Sequence, residues 1–188
     1  ASTACFEREQ LLVSSKQAVE ARYAVDVRVG TEAIAIDRKA KTVRLRELAT
    51  GEEYDEPYDR LLLAPGAAPI RPQLPGIASK RAFTLRNVPD LDRIMARLDS
   101  GQTRRAVVIG GGFIGLELAE SLHERGLSTT VVEGADQVLA PLDPEMAAII
   151  SAHLHDKNVA LHLADRIEGL EDRDDHTVVR LSSGKQIP

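Results

Sequence analysis

Residues 106–120 read AVVIGGGFIGLELAE: an apolar run, three consecutive glycines, then an apolar run again. The first part has the β-branched character of a buried strand, and the last has the length and residue types of a helix. Glycines at such a junction let the backbone turn sharply and let a ligand approach the main chain closely. Gly110, Gly112 and Gly115 fit the spacing G-x-G-x-x-G, between the strand RAVVI and the helix FIGLELAESLHERG. Gly110 permits the tight turn, Gly112 keeps side-chain atoms away from a diphosphate, and Gly115 lets helix and strand pack together. The free N–H groups and the positive end of the helix dipole favour an anion there.

The motif alone is weak evidence, but its surroundings strengthen it. A second strand, TTVVE, ends about twenty residues further on at Glu133, where a carboxylate accepts hydrogen bonds from both hydroxyls of an adenosine ribose. It repels a 2′-phosphate, and no Arg or Lys lies between Val132 and Leu142. The expected ligand is therefore NAD, with NADH preferred over NADPH.

Outward from this unit, residues 105–162 alternate strand, helix, strand, helix, strand (105–110, 113–126, 128–132, 144–157, 159–162), the order of a parallel, doubly wound sheet. Asp143 before Pro144 marks a helix start, and Gly126 a helix end. A further helix is expected at VPDLDRIMARLDS, and two more strands in ADRIEGLED and HTVVRLSS. Upstream, EREQLLVSSKQAVEAR (7–22) reads as a short helix interrupted at Ser14 and Ser15. VDVRV, EAIAID and KTVRLREL read as an antiparallel meander, and a strand ending in Leu61, Leu62 and Leu63 follows. Pro72, Pro75 and Gly76 mark 71–80 as a crossover or linker.

Composition narrows the function. The 188 residues are 43% hydrophobic with a net charge of -5, which suits a globular core and gives no basic footprint for nucleic acid. No apolar stretch reaches the ~18 residues of a membrane span, and the N-terminus has no secretory pattern. With one cysteine, Cys5, a soluble cytoplasmic protein is expected. His153 and His155, two apart on a helix, diverge too far to hold a metal together. The acidic run EDRDD (171–175) reads as a solvated turn, so no metal site is expected.

Two separated motifs, YDRLLLAPGAAP (58–69) and VVIGGGFIGLELAESL, together with TGEEYDEPYDRLLLAPGA, LRNVPDLDRI and PLDPEMA, resemble the flavoprotein pyridine nucleotide-disulfide oxidoreductases. The likeness is to the branch of NADH oxidases, NADH peroxidases and coenzyme A-disulfide reductases. It implies a Rossmann-like doubly wound NAD-binding domain (83–188) and part of an FAD-binding domain with a small antiparallel β-meander and linker (1–82). By that resemblance Val27, Ala64, Pro65, Gly66 and Arg86 face FAD; Pro65 stands where the wider family more commonly has Thr. Phe113 matches an aromatic gate between nicotinamide and flavin, Ile114 a backbone contact to the dinucleotide, and Glu117 a carboxylate near the nicotinamide amide.

The resemblance also implies hydride transfer from NADH to FAD and onward to a disulfide, polysulfide, peroxide or oxygen, with a small-molecule substrate. The first FAD glycine motif and the redox cysteine of that family are not found here, and Cys5 lies in a different context. A C-terminal domain used for homodimerisation is likewise expected outside this stretch. The chain is thus expected to be an internal fragment without turnover of its own. Coenzyme A-binding relatives can carry a Lys-His pair where this chain has Gly30 and Thr31, which weighs against coenzyme A disulfide. Two rivals are a ferredoxin or rubredoxin reductase, whose docking surface should be basic, and a non-catalytic NADH-sensing module.

Overall fold

The computed structural model describes residues 13–188, so Cys5 and the stretch 7–12 of the first expected helix lie outside the described residues. The chain forms two compact units, Ala1–Ala67 and Ala68–Pro188.

In the first unit, helix α1 runs Lys16–Tyr23. Ser15 starts this helix instead of interrupting it: its hydroxyl accepts the Ala18 N–H at 3.2 Å, as a cap serine does. The meander consists of β1 (Thr31–Asp37), β2 (Thr42–Glu47) and β3 (Glu53–Pro57), paired antiparallel in that order. Both turns are built from local chemistry. The Asp37 carboxylate accepts the N–H groups of Lys39 and Ala40 at 2.8 and 2.9 Å. Gly51, at φ 77°, donates to the Glu47 carbonyl at 2.8 Å.

Two strand expectations are corrected. Residues 25–29 form no strand; the Val27 N–H donates to Glu20 Oε1 at 3.2 Å instead of to a neighbouring strand. Leu61, Leu62 and Leu63 also lie outside any strand, and Leu62 is 89% exposed. An apolar run forms a strand only by pairing with another strand, and this one pairs with none among the described residues.

The second unit begins with a segment expected to be a linker but docked onto β7 (Ile167–Asp172). The Leu170 N–H donates to the Pro75 carbonyl at 2.8 Å. Gly76, at φ 77°, lies so close that an added Cβ would sit 1.9 Å from the Leu170 carbonyl oxygen. Asp172 accepts the hydroxyls of Ser79 and Thr177 at 2.8 and 2.6 Å. Arg81 donates to the carbonyls of Arg173, Asp174 and His176 at 3.0, 2.9 and 3.2 Å. The run EDRDD is therefore a docking point as well as a turn.

Helix α2 (Val88–Asp99) opens on a reciprocal cap between Asn87 and Asp90. Burial pushes the Asp90 carboxyl up. Hydrogen bonds from Arg93 and from the backbone of Arg86 and Asn87 outweigh that and hold it below the usual carboxylate value. The parallel sheet β4-β5-β6 follows, built from β4 (Arg105–Ile109), β5 (Ser128–Val132) and β6 (Ala160–His162). Helices α3 (Phe113–Glu124) and α4 (Pro144–Asp156) make the crossovers. Strand alternation sorts the core into two layers. Val108 and Val131 join Ala119, Leu122 and Leu154 of the helices. Val107 and Val132 face Val179, Leu181 and Leu170, from the antiparallel sheet of β7, β8 (Thr177–Leu181) and β9 (Gln186–Ile187).

Candidate functional site

Strand β4 delivers the chain to Gly110, whose φ of 110° is open to glycine and strained for other residues. Its N–H donates to the Val132 carbonyl at 2.8 Å, extending the parallel pairing by one residue. Helix α3 then starts at Gly112, a cap position with no side chain to satisfy the first-turn amides. A Cβ at Gly112 would meet nothing within 4 Å, so the space before the helix is open. At Gly115 a Cβ would lie 2.0 Å from the Gly110 carbonyl oxygen and 3.5 Å from Val108 Cγ1. Each glycine thus has the local geometry its place in the motif requires.

Glu133 closes the other side. Its Oε2 accepts the Gly111 N–H at 2.6 Å and its Oε1 the Ala135 N–H at 2.8 Å. The side chain therefore bridges the glycine loop and the loop after β5. Each carboxylate oxygen accepts a second hydrogen bond, which leaves about half of its capacity for ribose hydroxyls. A cleft of about 340 Å3 opens here, lined by Gly110, Glu133, Gly134, Arg166 and Ile167 among others. A second cleft of about 260 Å3 has Ser79 and Arg93 in its wall, but these are engaged by Asp172 and Asp90.

Phe113 and Ile114, 63% and 67% exposed, stand at the helix start. Glu117 lies one turn beyond Phe113 on the same exposed helix face. Gly110, Gly112, Phe113, Ile114, Gly115 and Glu117 share one turn and helix start, and Glu133 reaches them through Gly111.

The residues matched to FAD are distributed differently. Val27 is half-buried, and Ala64, Pro65 and Gly66 lie in an exposed, irregular stretch of the first unit. Arg86 precedes α2 in the second unit, with its N–H held by Asp90 Oδ2 at 2.9 Å.

Sequence reasoning passed over four residues of this region. Gly111 is buried; a Cβ there would lie 3.0 Å from Val138 Cγ1 and 3.2 Å from Glu133 Cβ. Its carbonyl accepts the Leu139 N–H at 2.9 Å. The third consecutive glycine was the available signal. Asp165 is buried and takes the hydroxyls of Ser182 and Ser183 at 2.9 and 2.6 Å. The Ser183 hydroxyl foremost, then Ser182, keep its carboxyl below the usual value despite burial. Arg166 and Ser182 reach the cleft region from distant sequence, and no local pattern marked them. Among the described residues there is no group of three or more potential metal ligands, and no helix is long and apolar enough to cross a membrane.

Comparison with known proteins agrees with this arrangement. The family model described as pyridine nucleotide-disulphide oxidoreductase matches residues 3–188. A coenzyme A disulfide reductase of Staphylococcus haemolyticus is 32% identical over 96% of this chain and 39% of its own length. Among solved structures, reduced Bacillus anthracis CoADR-RHD superposes with a TM-score of 0.90 at 47% identity, covering 96% of this chain and 32% of that one. An NAD-dependent persulfide reductase from A. fulgidus gives 0.84 at 35% identity, covering 92% and 32%. The chain thus spans about 39% of the length of the curated relatives it matches. With the glycine turn, Glu133 and the strand-helix order in place, the chain belongs to the pyridine nucleotide-disulphide oxidoreductase family.

Proposed function

We propose that this chain is the NAD-binding unit, with an adjoining part of the FAD-binding unit, of an NADH-dependent flavoprotein oxidoreductase. The observation that carries the reading is the open cradle at Gly110–Gly115 facing a Glu133 already oriented by two backbone N–H groups. The first-turn amides of α3 would hold the diphosphate of NADH, and Glu133 would accept hydrogen bonds from its ribose hydroxyls. A 2′-phosphate meets the same carboxylate unfavourably, so NADH binds more tightly than NADPH. Phe113 and Glu117 border the nicotinamide end, with Phe113 able to shield it from water and Glu117 to hold its amide.

When bound, NADH supplies a hydride and FAD accepts it. Val27, Ala64, Pro65, Gly66 and Arg86 contribute to the flavin side by their match to the family. The substrate is a small sulfur compound, a disulfide, persulfide or polysulfide, in keeping with the reductases to which the chain is similar. The protein works in the cytoplasm as a homodimer, in line with the family.

Anaerobic titration of the full-length protein with NADH tests this reading. The expected result is bleaching of the bound flavin, followed by reoxidation on addition of a polysulfide or low-molecular-weight disulfide. Absence of flavin from the purified full-length protein, or flavin unmoved by NADH, would overturn it.

A further inference from the structure

The 132–142 stretch has no cation, yet the fold brings one to the same cleft from β7's side. Arg166 lies along Gly134: the position of an added Gly134 Cβ is 3.1 Å from Arg166 Cγ and 3.3 Å from its Nε. Gly134 directly follows Glu133, and Arg166 lines the cleft together with Glu133 and Gly110.

The arginine is held by its backbone. Its N–H donates to Ser182 Oγ at 3.1 Å, and its carbonyl accepts the Ser182 N–H at 2.8 Å. The preceding Asp165 is buried, bonds Ser182 and Ser183, and donates its own N–H to the Glu133 carbonyl at 3.1 Å. Arg166 and Glu133 are therefore tied to one another through the main chain. Among the described residues no carboxylate forms an ion pair with the Arg166 guanidinium, whose side chain is exposed. A guanidinium so placed has its fork of donors available for a phosphate.

We propose that Arg166 determines dinucleotide specificity at the adenosine end, supplying a cation to the 2′-phosphate of NADPH where Glu133 repels it. Discrimination is then set by the Glu133–Arg166 combination, and the protein accepts both dinucleotides with NADH ahead. This rests on the reading of the cleft as the adenosine site.

The test is calorimetry of the protein with NADH and NADPH, for wild type and Arg166→Gln, at low and high salt. Wild type is expected to bind both, with NADPH weaker by about tenfold and more sensitive to salt. Arg166→Gln is expected to weaken NADPH at least tenfold further, change NADH by less than about threefold, and remove the difference in salt sensitivity. Glu133→Gln should strengthen NADPH relative to NADH, and the double variant should lose that gain. The inference about Arg166 is overturned if the variant weakens both dinucleotides by the same factor, or neither, while wild type binds both. The underlying reading fails separately, if wild type binds neither or if Gly112→Ala leaves NADH binding intact. Unchanged thermal unfolding of Arg166→Gln confirms that the readout is binding; if that variant is misfolded, Arg166→Lys replaces it, expected to keep salt sensitivity but weaken NADPH, with an unchanged NADPH/NADH ratio counting against the proposal.

Discussion

Two glycines of one motif make opposite predictions when each is replaced by alanine. At Gly115 the new Cβ lies 2.0 Å from the Gly110 carbonyl oxygen, so α3 must retreat from β4 by about 1 Å even to reach 3.0 Å. The obstacle is main chain and cannot rotate away. Overpacking of this kind costs about 1–3 kcal/mol, and a backbone obstacle places Gly115→Ala in the upper part, about 2–3 kcal/mol. Since about 1.4 kcal/mol is tenfold, amides of β4 and α3 should lose protection from hydrogen exchange by about 30- to 140-fold. At Gly112 the Cβ meets nothing and the backbone is extended, at φ -80°. Gly112→Ala should leave protection unchanged or raise stability by about 0.4–1 kcal/mol, while lowering NADH affinity at least about tenfold by filling the space before the helix. Exchange measured by mass spectrometry, beside calorimetry on the same samples, reads both effects. The reasoning is refuted if Gly115→Ala keeps wild-type protection, or if Gly112→Ala keeps wild-type affinity.

Glu133→Gln leaves one of the two bonded N–H groups facing an amide donor and the other a neutral oxygen and should weaken NADH by about ten- to a hundredfold, from the ~1.5–3 kcal/mol of hydrogen bonds to charged groups; titration calorimetry reads it. Gly76→Ala combines a left-handed backbone with a Cβ 1.9 Å from the Leu170 carbonyl and should destabilise by at least about 2 kcal/mol, seen in denaturant unfolding. Arg81→Ala removes three carbonyl contacts and should speed proteolysis within 71–82, with an unchanged digestion rate counting against the docked segment. Burial foremost, and then Lys185 with its Nζ 3.5 Å from Nδ1, keep the His162 imidazole below its usual value. The unfolded chain then binds a proton that the folded chain does not, so this contribution to stability is complete above about pH 6.5 and lost as pH falls through the folded-state value. Lys185→Met should raise the His162 pKa in an NMR titration; a fall would contradict the assignment.

Much of the candidate site was legible because its requirements are local. Gly110, Gly112 and Gly115 have distinct geometric tasks that few other residues perform, and the span from strand to Glu133 is set by one helix and one crossover. Helix α2 was visible for the same reason, in the run VPDLDRIMARLDS, and the Asn87–Asp90 cap fixes its start. What escaped depends on long-range pairing. VDVRV alternates as a strand should, but the meander is completed by Glu53–Pro57, whose acidic residues pair across to Arg44 and Arg46. Pro72 and Pro75 read as a linker, and their docking depends on Leu170, Asp172 and Arg81 contacts formed across about ninety residues. Arg166 enters the cleft because Asp165 and Ser182 hold the main chain there, an arrangement no spacing in the sequence expresses.

The most direct test of the account is amide-resolved NMR of the protein during titration with NADH. It predicts that the largest shifts fall on the N–H groups of Gly112, Phe113 and Ile114, with Gly111 and Ala135 responding through Glu133. Binding that leaves these amides unmoved and perturbs another part of the surface would contradict it.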